Sequence, residues 1–294
     1  MAVRTVTMAA VVALLWPLAT GCSSEESMFD DGKVHVGAKS DQPGTSSSPH
    51  DGVYEGFDIT VAKELLASVK VTSPYFSGVL SKNRGPALRN GDLDLVAATY
   101  SITAQRMKPR DEGGEGLDFV GPYASTQQGI LVREKDYGRY KDDSDLDGKL
   151  VCVWKGTTSA EELKKPAYDK IRLREEEDAK YCMKALLAKE VDAVSTDQLI
   201  LYGFMEAEPG LRVVPGIKFG EPNDYGIAMA KGHRADCERL RDTLRTYVAG
   251  NDWERDFENN LPKVPKAERD EARPTADEID ALSCRDKPGN ASVD

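Results

Sequence analysis

Three stretches of the sequence gather side chains able to grip a small polar molecule. The first is "LDLVAATYSITAQR", in which an apolar run ends in Thr99, Ser101 and Thr103, with Arg106 just behind. A strand that runs into a helical turn leaves free backbone N–H groups, and these attract an anion. A planar guanidinium matches a carboxylate fork beside them. The second is "WKGTTSAEEL", where Thr157 and Thr158 crowd the start of a helix. Ser159 and Glu162 fit a capping box there, which accounts for Ser159 without any ligand. The third is "VDAVSTD", which delivers Asp197, an acceptor for an ammonium group or the N-cap of the next helix. Anion donors on one side and an acidic acceptor on the other suit a zwitterion held between two bodies.

The elements that must carry these residues follow from apolar periodicity. "KVHVGA" reads as a strand and "DQPGTSSSPHDG" as a polar loop. "GFDITVAKELLASV" reads as a helix that Asp58 can cap, with Ile59, Ala62, Leu65, Leu66 and Val69 at helical spacing. "VKVTSP" reads as a strand, and "GPALRNGDLDLVAATY" as helix, Gly turn and strand. The alternation then restarts with "GKLVCVW", "KIRLRE" and "VDAVST" as strands and "TTSAEELKK", "DAKYCMKALLAKE" and "DQLILYGFM" as helices. Strand–helix alternation implies parallel α/β units. "GILVRE" (129–134) and "DYGIAMAK" (224–231) are the expected crossings between two such units. A helix with Leu240, Leu244, Tyr247 and Val248 on one face follows, then a short one at Trp253 and Phe257. From about 263 the chain is polar and charged and reads as a tail. "DDSDLDG" opens like a calcium loop, but Trp154 stands where the bidentate glutamate belongs, so it reads as a solvated turn.

Composition narrows the functions. The 294 residues carry a formal net charge of −11, which disfavours nucleic acid. Arg4 followed by "VTMAAVVALLWPLA" has the form of a secretory leader, and "LATGC" resembles a bacterial lipobox that would be cut before Cys22 and lipidated there. "SSEES" is then a polar tether. Export leaves Cys152, Cys182, Cys237 and Cys284, an even set that suggests two disulfides with three connectivities open. The only histidines are His35, His50 and His233, and no C-x-x-C spacing occurs, so neither zinc nor another cofactor is expected. No Gly-x-Ser-x-Gly motif or triad context is present, which argues against an enzyme.

These motifs resemble the extracellular solute-binding proteins, family 3, that serve polar amino-acid ABC transporters. The resemblance covers about residues 33–262 and rests on "GVYEGFDITVAKELL", "GDLDLVAATYSITAQR", "DFVGPY", "LDGKLVCVWKGTTS", "ALLAKEVDAVSTDQLIL" and "YGIAMAKG", in the family's order. "DQPG", "AATYSIT" and "VDAVSTDQLIL" look most like the actinobacterial glutamate-binding lipoproteins. The resemblance implies an α/β, two-lobed periplasmic-binding-protein type II fold. Each lobe would be a mixed, mostly parallel sheet flanked by helices, with a two-strand hinge.

Residues 1–21 would be the leader and 22–32 the tether. Residues 33–128 with 226–262 would form one lobe, 129–225 the other, and 263–294 a C-terminal tail. The resemblance gives Arg106 to the ligand's α-carboxylate, and Thr99 and Ser101 to its carboxylate and amine. It gives Thr158, with Thr157 beside it, to the carboxylate from the second lobe, and Asp197 to the α-amino group. Arg84 and Lys39 are candidates for a side-chain carboxylate. It pairs Cys152 with Cys182, which leaves Cys237 with Cys284.

The implied protein is a lipid-anchored monomer on the extracytoplasmic face that hands an amino acid, glutamate foremost, to an ABC permease. A signalling lipoprotein with a membrane sensor as partner is the alternative, and a dehydratase-like enzyme is a remote one. The chain departs from the glutamate binders in the enlarged segment 107–116, in Ser40 where an aromatic is expected, and in "QQGILV".

Overall fold

The computed structural model describes residues 1–2 and 27–289. The leader from residue 3, Cys22 and the tether up to residue 26 lie outside the described residues. Among the described residues the strands are β1 (His35–Ala38), β2 (Asp41–Gln42), β3 (Ser46–His50), β4 (Val53–Glu55), β5 (Tyr75–Gly78) and β6 (Leu95–Val96). They continue with β7 (Leu117–Arg133), β8 (Leu150–Trp154), β9 (Arg172–Glu176), β10 (Ala193–Asp197), β11 (Leu211–Val213) and β12 (Phe219–Ala230). The helices are α1 (Phe57–Ser68), α2 (Arg84–Asn90), α3 (Ala104–Met107), α4 (Thr158–Leu163), α5 (Ala179–Leu187) and α6 (Gln198–Ala207). At the C-terminal end come α7 (Arg234–Ala249), α8 (Asp252–Asn260), α9 (Lys266–Ala272) and α10 (Ala276–Leu282).

One mixed sheet runs β5-β1-β6-β12-β7-β10-β8-β9, with β11 added on β7. Parallel ladders join β1 to β5 and β6, and β8 to β9 and β10. These are two right-sized α/β units, and the long antiparallel pair β7–β12 links them. At Gln128, β7 leaves β12 for β10, so the sheet passes from one unit to the other there. The switch falls at the polar stretch 125–128 of β7, directly before the expected 129–134.

The strong periodic segments fold as expected. Leu240, Leu244, Tyr247 and Val248 of α7 are all buried. The core around α1 and α8 stacks Trp253 on Phe257 at 4.8 Å, and the Trp253 indole donates to the Tyr123 carbonyl at 2.8 Å. Four expectations are corrected. Residues 41–55 form a small antiparallel sheet, β2-β3-β4, not a loop; its serines bond to backbone, as Ser46 Oγ does to both the N–H and the carbonyl of Lys39. The strand expected in "VKVTSP" begins only at Tyr75. Lys70 ends α1 in the left-handed region at φ 66°, and Pro74 has no N–H for a ladder. Helix α1 starts at Gly56 with φ 119°, where a Cβ would meet the Thr45 carbonyl at 2.4 Å; Asp58 is buried inside the first turn and caps nothing. The tail expected from 263 folds as α9 and α10. Val264, Ala272, Ile279 and Ala281 are buried there, and Cys284 is bonded to Cys237. Cys152 is bonded to Cys182.

Candidate functional site

The strand ends β6, β8 and β10 converge on the face where the two units meet. Open α/β sheets bind ligands beyond such carboxyl ends. A cleft of about 550 Å³ opens there, lined among others by Tyr100, Arg106, Gln128, Thr157, Thr158 and Asn223. Beneath it lies a narrow chamber walled by Thr99, Ser101, Arg84, Thr196 and Asp197 with four further side chains of the two units and Thr157 and Thr158.

Thr99 and Ser101 continue the strand end as a constrained turn. Thr99 holds φ 46°, a region that a β-branched residue rarely enters. Asp58 fixes it by accepting the Thr99 N–H at 2.7 Å, and Thr99 Oγ1 donates to Gln42 Oε1 at 2.9 Å. Asp58 also accepts Tyr123 OH at 2.8 Å, yet burial pushes its carboxyl up to about 7. Thr103 caps α3, which carries Arg106. Arg106 Nη1 donates to the Ser101 carbonyl at 2.6 Å.

Two buried guanidiniums share one ring. Arg84 sits 4.2 Å and Arg106 4.4 Å from the Tyr100 centroid. Cation–π contact stabilises such cations away from water. Arg84 donates to the carbonyls of Ser81, Ala98, Thr99 and Gly156. Burial, and next the neighbouring Arg106, pull it down to about 10, so it stays cationic at neutral pH.

The opposite wall is acidic and hydroxylic. Asp197 accepts Tyr225 OH at 2.7 Å, Asn223 Nδ2 at 2.9 Å and Ser159 Oγ at 3.3 Å. Burial raises it to about 6, against the hydrogen bonds from Tyr225 and Ser159. Asp197 stands at the N-cap position of α6 but its carboxylate caps nothing. Thr157, not Ser159, caps α4, accepting the Ala160 N–H at 3.1 Å, so the Ser159–Glu162 capping box does not form. Ser159 is thereby free to serve Asp197.

The two units touch across the cleft. Ser101 Oγ and Thr158 Oγ1 are 3.2 Å apart, and Arg84 Nη2 reaches the Gly156 carbonyl at 2.9 Å. Lys82 pairs with Glu177 at 2.5 Å, and Asp41 accepts the Lys180 N–H at 2.9 Å. Lys39 is fully buried and paired with Asp178, with Asp41 at 3.7 Å. It lines neither the cleft nor the chamber, and its ammonium pairs across the two units instead.

The structure thus brings together Thr99, Ser101, Arg84, Arg106, Thr157, Thr158 and Asp197 and leaves Lys39 aside. Sequence reasoning missed Tyr225 and Asn223, which strand alternation in "NDYGIAM" puts on one face of β12. It also missed Tyr100, whose ring carries both guanidiniums. No group of three or more His, Cys, Asp or Glu able to hold a metal is found among the described residues.

Comparison with known proteins agrees with this architecture. The family model for bacterial extracellular solute-binding proteins, family 3, matches residues 34–249. The glutamate-binding protein GluB of Corynebacterium glutamicum is 32% identical over 244 residues, covering 79% of this chain and 80% of that protein. The glutamine-binding protein of Geobacillus stearothermophilus is 32% identical over 227 residues, covering 76% and 82%. Among solved structures, an ancestral arginine-binding protein bound to glutamine superposes with a TM-score of 0.67 at 27% identity, over 78% of this chain and 97% of that one. These relatives are named as binding proteins, not enzymes. The chain belongs to the bacterial extracellular solute-binding proteins, family 3.

Proposed function

We propose that this protein is the lipid-anchored, extracytoplasmic binding component of an ABC transporter, and that it holds glutamate between its lobes for delivery to a permease. The observation that carries the ligand is the pair of buried guanidiniums on Tyr100, opposite the Asp197 carboxylate. Two fixed cations and one acidic acceptor complement a ligand with two carboxylates and one ammonium group. Arg106 would take the α-carboxylate with Thr158, Asp197 the ammonium, and Arg84 the side-chain carboxylate. The names of the relatives from Corynebacterium glutamicum and Geobacillus stearothermophilus, glutamate- and glutamine-binding, support the same ligand class.

Residues 33–128 with 226–262 would move as one lobe and 129–225 as the other, about β7 and β12. A ligand that contacts both lobes favours the closed form by its extra contacts there. The closed form would then dock on the permease. Cys22, in the lipobox-like "LATGC", would carry the lipid, and the protein would act as a monomer.

Isothermal titration against the twenty amino acids tests this reading. The processed protein, purified from membranes in detergent, is first unfolded and refolded to strip bound ligand. Tight binding of glutamate supports it, and silence across the panel overturns it. Mass mapping of the N-terminus checks the lipid on Cys22.

A further inference from the structure

The chamber beneath the cleft holds two buried polar groups that no described residue satisfies. Trp154 Nε1 and Ser81 Oγ have no hydrogen-bond partner among the described residues. Trp154 is 1% exposed and Ser81 4%, and both line the chamber. Buried polar atoms are rarely left unpaired, and an indole N–H can only donate. The two belong to opposite units: Ser81 precedes α2, and Trp154 ends β8. Arg84, on the same wall as Ser81, gives only one of its two Nη2 protons to a carbonyl, Gly156. Arg106 lines the outer cleft, whereas Arg84 lines the inner chamber. The inner end, a space of about 10 Å³ in this structure, therefore sets these donors, contributed from both sides, beside the Asp197 carboxylate that would take the ammonium.

We infer that Trp154 and Ser81 are specificity-determining residues that donate to the distal group of the bound amino acid, selecting an oxygen-bearing, acceptor side chain. This inference rests on the amino-acid reading of the site. A carboxylate, which only accepts, satisfies every donor. A carboxamide turns one N–H toward a donor. An alkylammonium or guanidinium brings donors and charge against Arg84, and a hydrocarbon leaves the N–H groups unpaired. Sites built to hydrogen-bond a ligand group reject analogues without it strongly. The expected order is glutamate, then glutamine, with norvaline and arginine far behind.

The test uses the processed protein and two variants, Trp154→Phe, which keeps the ring and deletes the N–H, and Ser81→Ala. Circular dichroism and thermal unfolding check each fold. Kd values are measured for glutamate and norvaline, by displacement where binding is weak. Each variant should weaken glutamate roughly tenfold to a hundredfold and change norvaline less than about twofold. Equal losses for both ligands, or unchanged glutamate affinity in both folded variants, overturn the inference. Arginine binding the unaltered protein more tightly than glutamate also overturns it, and leaves the amino-acid reading standing. An unaltered protein that binds no amino acid overturns that reading itself, and this inference with it.

Discussion

At the scale of single residues, Asp197 makes the sharpest statement about pH. Burial raises its carboxyl from the ordinary 3.8 to about 6. A carboxyl raised on folding stabilises the protein below its unfolded value, and that contribution is lost as pH rises through about 6. The unliganded protein therefore loses stability between about pH 4 and 6 through this group, and a bound ammonium offsets the loss by favouring the ionised form. The same linkage makes binding weaken on acidification, by up to about tenfold per pH unit below 6. Titration with glutamate at pH 7 and 5 should show a clear loss of affinity at the lower pH. Asp197→Asn should bind weakly at both and flatten the profile; an Asn variant that keeps the native pH slope would remove Asp197 from the amine site. Asp197 was legible in the sequence because a carboxylate at the end of an apolar strand stands out. Trp154 was not, because an indole closing "LVCVW" reads as core, and only the folded chamber reveals an unpaired N–H.

At the scale of elements, the closed arrangement depends on backbone approaching backbone. Gly203, in the middle of α6, has no room for a side chain: a Cβ there would sit 1.8 Å from the Pro43 carbonyl of the β2–β3 turn. Gly156 meets Lys82 in the same way, with a Cβ 2.4 Å from its Cα. Overpacking of this kind costs about 1–3 kcal/mol, and it is relieved by opening the cleft. Gly203→Ala should thus raise the Kd for glutamate by about fivefold to a hundredfold or more. Small-angle scattering of the ligand-saturated variant should give a larger radius of gyration than the unaltered protein. Equal radii and equal affinities would mean that this contact does not form on closing.

Elements with a strong apolar period were legible, such as β8, β10, α5 and α7. The sheet β2-β3-β4 was not, because "SSSPH" offers no alternation and its order comes from contacts with Lys39 and α1. The capping of α4 was misread for a similar local reason: Thr157 and Ser159 both fit a cap, and only the position of Asp197 decides between them.

At the scale of the whole molecule, the C-terminal segment beyond residue 262 reaches across the back of the crossing strands. Ser283 Oγ bonds both the N–H and the carbonyl of Gly121 on β7, at 3.0 and 2.7 Å, and the Cys284 N–H donates to the Phe119 carbonyl at 2.8 Å. The same segment touches α6 of the other unit, where Glu268 accepts Tyr202 OH at 2.8 Å and Lys263 pairs with Glu206 at 3.3 Å. The family match ends at residue 249, so these helices lie outside it. They were not legible in the sequence because α9 and α10 have seven residues each, and most of those residues are charged or small.

Their attachment rests on the Cys237–Cys284 bond, which closes a separation of 47 residues. By loop-closure entropy such a bond contributes about 4 kcal/mol. Replacing both cysteines by serine should lower the midpoint of thermal unfolding by about 10 °C in a chain of this size. The pin bonds β7 only through the backbone of Phe119 and Gly121, neither of which itself lines the cleft. Glutamate affinity of the folded variant should therefore stay within about threefold of the unaltered protein. A variant that keeps its unfolding midpoint would show that the hydrogen bonds of Ser283 and Cys284 hold the segment without the disulfide. A variant that unfolds normally but binds glutamate far more weakly would show that the C-terminal segment also governs the closure of the lobes.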